Sequence, residues 1–184
     1  MQINQVRNLA PQMSLTPETL AVKNAGLVLL NNYLPMLFER LGLLIENKVF
    51  TGLASQCKAV QYAEFAVTGL SATSETILQL NKVLCGLPLA QPVPEEIDIS
   101  EDQILLINGL LQAMIGYWPA TGSSSVEGFR GNWLVREGLL RELEAYWELV
   151  VEKRAYDLLL NQSPFTFSVI KYPWMPKPLH VTWL

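Results

Sequence analysis

The chain has 184 residues, half of them hydrophobic and only 16% charged, with a formal net charge of −4. That length suits one domain with a real core, and so low a charged fraction points to a tightly packed globule or to a subunit that hides apolar surface in an assembly. With 13 basic against 17 acidic residues and no basic cluster, the composition argues against nucleic-acid binding through phosphate neutralisation.

Residues 1–22 are polar, carry Pro11 and Pro17, and read as an arm or linker ahead of a domain over 23–184. They lack the charged segment and apolar run of a secretory signal. Ala25 to Leu30 fits a buried strand or a helical turn. Pro35 then suits the first turn of a helix from about Asn32 to Gly42, with Tyr33, Met36, Leu37, Leu41 and Leu44 sharing its buried face. A second helix over 55–68 gathers Ala59, Tyr62, Ala63, Ala66 and Val67 on one face and stops at Gly69. A third is expected from about Ser74 to Cys85, capped by Thr73 or Ser74 and closed by Gly86 and Pro88.

The best-defined helix start follows at Ser100. Ser100 and Gln103 form a capping box, Ile99 and Ile104 fit a hydrophobic staple, and Ile104, Ile107, Leu111, Met114 and Trp118 recur at helical spacing until Pro119. The run Ile104 to Trp118 is too short to span a bilayer, so no membrane anchor is expected. Ser124 with Glu127 offers another capping box for a short helix through Trp133. Between Leu139 and Glu152 apolar residues alternate with glutamates, which favours a hairpin, although Leu139, Leu143, Trp147 and Val150 would also suit a helix. A short helix, Ala155 to Leu160, leads into the strand FTFSVIKY, and the chain closes on the stiff aromatic tail PWMPKPLHVTWL. Val169 to Tyr172 is expected to pair with the hairpin, and Val181 to Trp183 to close the same sheet or to bridge to a neighbour. The fold class read from this order is α+β, mainly α: a bundle of about five helices with a small C-terminal antiparallel β-sheet.

Signals for chemistry are sparse. One histidine, His180, rules out a histidine-rich metal site, and no GxSxG, GxGxxG or GxxxxGK[ST] occurs. Cys57 and Cys85 lie inside apolar helical patterns without CxxC spacing and read as buried thiols. Glu95, Glu96, Asp98, Glu101 and Asp102, with the alternating glutamates from Glu142 to Glu152, fit solvated faces and helix starts better than a paired-carboxylate site. No catalytic, cofactor-binding or metal-ligating residue is assigned, and no cofactor is expected. The candidate residues are those of an interaction surface in the tail: Trp174, Met175, Pro176, His180 and Trp183.

Several segments, NAGLVLLNNYLPMLFERLGLL at 24–44, LNKVLCGLPLAQPVP at 80–94, and YWELVVEKRAYDLLL, FTFSVIKYPWM and LHVTW to the end, together resemble the C-terminal domain of the tape measure proteins of extracellular contractile injection systems. The resemblance covers roughly 23–184. It implies a structural protein and no enzyme: one that fills the inner tube during assembly, fixes its length and is tethered at the baseplate and spike end. Implied partners are tube, hub and spike or baseplate proteins, and a homotrimer would match the spike. Implied localisation is the cytoplasm during assembly, then the particle, with release outside the cell as a further step. Even as one continuous helix the chain would reach only about 280 Å, so it is read as a terminal domain or short relative that anchors or caps. The rival reading is an independent domain that binds or hydrolyses glycan or peptidoglycan with its tryptophans and carboxylates.

Overall fold

The segment Ala25–Leu30 is a 3-10 turn, and every one of its residues is buried. Six uncharged residues, AGLVLL, supply no polar side chain to keep any face of the turn in water. One side packs on a β-sheet and the other meets a helical layer. A Cβ on Gly26 would collide with the carbonyl oxygen of Trp133, so the residue type is set by how closely the two backbones approach.

The structure, a computed structural model, describes residues 17–46 and 48–183. The expected arm lies outside the described residues as far as residue 16, while Thr19–Val22 forms strand β1. The helical layer contains α1 (Leu34–Arg40), α2 (Leu53–Thr68), α3 (Gln79–Leu84), α4 (Glu101–Tyr117) and the short α5 (Val126–Phe129), which runs into a π-turn at Arg130–Leu134. Pro35 lies in the first turn of α1. Gly69, with φ of 73°, ends α2 in the left-handed conformation. Both halves of the Ser100–Gln103 capping box are present at the start of α4. A two-stranded ribbon, β2 (Leu44–Ile45) with β3 (Val49–Phe50), links α1 to α2.

The remaining strands are β4 (Gly138–Glu142), β5 (Trp147–Val151), β6 (Val169–Ile170) and β7 (Leu179–Thr182). They join β1 in one sheet of order β1-β4-β5-β7-β6. Register aligns Leu20, Leu140, Leu149 and Val181 in one row toward the core, where Leu140 and Leu149 are fully buried. The adjacent row, Ala21, Leu139, Val150 and Thr182, faces out. This is the period-two pattern of a half-buried sheet.

These strands overturn the expectation of a helical bundle with a small C-terminal antiparallel sheet. The sheet has five strands, reaches back to Thr19, and is mixed: β7 runs parallel to β5 and antiparallel to β6. Val169–Ile170 consequently pairs with β7, not with the hairpin. A parallel pair needs a crossover, here supplied by the 3-10 segment Ala155–Gln162 and the extended chain after it. Two helix expectations also change. The stretch 74–85 divides into a 3-10 turn, Glu75–Ile77, and α3, with no side-chain cap on either. The cap of α5 is Ser125, whose hydroxyl accepts from the Gly128 N–H at 3.0 Å, while Ser124 donates to the Thr121 carbonyl.

Candidate functional site

The tail is built into the domain at two points. At the first, Trp174 donates its indole N–H to the Leu84 carbonyl at 2.9 Å and packs among Phe38, Phe50 and Tyr172, its ring centroid 5.1 Å from that of Phe50. Tyr172 donates to the Asn31 carbonyl at 2.7 Å, and burial pushes its phenol well above the ordinary range. Gly86 makes room: its φ is +73°, and a Cβ there would meet the Trp174 carbonyl oxygen. Gly86→Ala therefore combines left-handed strain with a backbone clash and is expected to cost about 1–3 kcal/mol. A thermal melt reads it, and an unchanged midpoint would mean that Trp174 is not seated against this turn.

At the second point, Trp183 is buried and donates its indole N–H to Asp157 Oδ2 at 3.0 Å. Arg136 Nη1 donates to both oxygens of the same carboxylate at 2.9 Å, and the Arg154 backbone N–H reaches Oδ2 at 2.9 Å. The guanidinium also donates to the Asn132 carbonyl at 2.7 Å and lies 5.1 Å from the Trp183 ring centroid, with Trp133 and Tyr156 close by. The side chains of Arg136 and Asp157 are 0% and 3% exposed, so this ion pair lies in the interior. It joins the π-turn, the crossover and the end of β7.

The five tail residues named from sequence thus separate. Trp174, Met175 and Trp183 pack against their own domain, with Met175 and Trp183 buried, whereas Pro176 and His180 face outward. His180 stacks on Tyr146 at 4.3 Å with an 18° tilt, on the sheet row that runs Thr19, Arg141, Glu148, His180, Val169. The carboxylates weighed for hydrolysis do not converge. Glu148 is paired with Arg141 on the sheet, while Glu95 and Glu96 line a shallow recess with Thr73 and Ser74. Among the described residues no group of three or more His, Cys, Asp or Glu side chains is placed to hold a metal ion, and no helix is long and apolar enough to cross a membrane. Burial raises both thiols, Cys85 far more than Cys57.

Sequence reading missed the outer face of α4. From Gln103 through Trp118 the chain carries no charged residue, although Leu105 and Tyr117 are 69% and 66% exposed and Gly109, Gln112, Ala113 and Gly116 lie between them at the surface. Beside this face, Met36, Leu37 and Arg40 of α1 complete a groove of about 320 Å³ with Leu105, Gly109 and Ala113. The signal was present in the sequence: an amphipathic helix ordinarily carries charge along its wet side, and here charge is confined to Glu101 and Asp102 in the first turn.

A clamped tail, a closed core and an uncharged helix face describe a packing domain, a block that works through its surfaces. The chain matches the family model described as contractile injection system tape measure protein over residues 3–183, and it belongs to that family, which is one of structural proteins and not of enzymes. The match covers nearly the whole chain and reaches into the N-terminal segment that the resemblance had left out. No curated protein and no solved structure matches it.

Proposed function

We propose that this chain is the anchoring or capping module of a tape measure assembly, packed at the baseplate and spike end of the inner tube and contributing there to the control of tube length. The observation that carries the reading is the outer face of α4 beyond its first turn, which has no charged residue, together with the largely apolar groove beside it, because exposed apolar surface of this kind marks a protein contact. Shape supports the same role. The longest helix, α4, reaches only about 26 Å at 1.5 Å per residue, so the described residues form a block and not a rod. Family membership implies contact with other components of the injection system; within this reading they are the hub, spike and tube proteins, and a trimer is the assembly that would match a spike. Pro176 and the Tyr146–His180 stack form a second outward contact. The particle assembles in the cytoplasm and carries the chain with it when released.

Leu105→Glu with Ala113→Arg tests the reading. Both positions are on the surface, so the fold is expected to keep its melting midpoint within roughly 0.5 kcal/mol per substitution. Incorporation of the chain into purified particles is expected to fall at least about tenfold, the loss expected when charge is placed in the core of an interface. Normal incorporation would remove α4 as the docking face.

A further inference from the structure

Glu64 on α2 is 2% exposed, and no cation reaches it among the described residues. Its Oε2 accepts from Asn24 Nδ2 at 2.6 Å and from Asn81 Nδ2 at 3.1 Å, and the two asparagines are themselves joined at 2.5 Å. The second Asn81 hydrogen goes to the Val60 carbonyl at 3.1 Å. Every side-chain donor in the cluster is then used, yet Asn24 Oδ1 is buried without one. The cluster is thus one hydrogen short, and it encloses a carboxyl group with no cation beside it among the described residues. Charged groups on the surrounding elements are engaged elsewhere. Lys82 on α3 holds Glu75 at 2.6 Å, Arg130 on the π-turn holds the Ala66 and Phe65 carbonyls, Arg136 holds Asp157, and Lys23 beside Asn24 is exposed.

Lys23 and Asn24 separate β1 from the buried turn, and Asn24 is the buried one of the two. We propose that Asn24, Glu64 and Asn81 form a proton-operated latch, which holds β1 on the sheet edge while Glu64 is neutral and lets it peel away when Glu64 ionises. The Asn24 side yields first. β1 has four residues, buries only Val22 and, among the described residues, pairs in the sheet with β4 alone. Asn81 sits on α3, which the Trp174 and Gln56 side chains hold through the Leu84 and Cys85 carbonyls. Peeling stops at Ala25, where the backbone N–H donates to the Arg136 carbonyl at 2.8 Å ahead of the fully buried turn. Burial holds the Glu64 carboxyl above the ordinary carboxylate range, and the two amide donors only partly offset it. A group raised in the closed form favours closure below its ordinary pKa and loses that contribution as pH climbs through the raised value. The proton released goes to solvent.

Amide hydrogen exchange of the full chain, corrected for intrinsic rates between about pH 5 and about pH 8, reads the latch. Protection of residues 20–22 is expected to fall with rising pH, because the closed form loses the contribution of the neutral carboxyl, while residues 149–151 hold theirs. In Glu64→Gln, which stays neutral, the protection of residues 20–22 is expected to be flat. Equal falls in both proteins, or a fall in β5 that matches β1, would overturn the proposal. Should Glu64→Gln fail to fold, carbon-13 NMR of the glutamate δ-carbons in the unaltered protein decides: Glu64 titrating above the exposed glutamates supports the latch, and titrating with them refutes it.

Discussion

Deleting residues 173–184 is expected to abolish the cooperative unfolding transition of the domain. β7 is an interior strand, paired with β5 on one side and β6 on the other, so its loss opens two ladders at once. Met175, Leu179 and Trp183 leave with it, all of them buried. At roughly 1.5–3 kcal/mol per buried large side chain, those three alone contribute about 4.5–9 kcal/mol, comparable with the lower half of the 5–15 kcal/mol that holds an ordinary domain together. The truncated chain is expected to lose its thermal transition and to aggregate through the exposed β5 edge. A soluble truncated protein that still melts in one step would show that the tail is an appendage and not part of the core.

Asp157→Ala is the point substitution with the largest expected effect. It leaves the Arg136 guanidinium buried and unpaired and frees the Trp183 indole and the Arg154 N–H together. Breaking a buried pair from one side costs about 3–5 kcal/mol, which for a domain of this size corresponds to a drop in melting midpoint of roughly 6–20 °C. The double variant Arg136→Met, Asp157→Leu removes both charges and is expected to recover much of that loss. A melt of Asp157→Ala within about 1 kcal/mol of the unaltered protein would contradict an interior ion pair at this position.

Much of the helical layer was legible because its signals are local. The capping box of α4 needs only Ser100 and Gln103, and the end of α2 needs only Gly69. The hairpin of β4 and β5 was legible through its alternation. What could not be read was pairing between distant segments. Nothing in the run LHVT says that it lies parallel to WELVV, because both faces of such a strand look the same whichever neighbour it takes. The 3-10 turn at 25–30 was ambiguous for the same reason: a short apolar run is compatible with any buried conformation. Arg136 and Asp157 are separated by twenty-one positions and give no local sign of their pairing. The tail residues stand out in the sequence as proline-rich and aromatic, but nothing local tells that Trp174 and Trp183 dock on their own domain while His180 stays outside.

The place of β7 in the sheet also sets an order on synthesis. Leu149 finds its partner Val181 only after the whole crossover has been made. Until then β5 lacks one of its two neighbours and that edge stands open to a competing strand. In a cell making many copies at once, neighbouring nascent chains are each other's nearest source of a competing strand, and a chaperone that shields residues 147–151 during that interval would raise the yield without touching the finished fold.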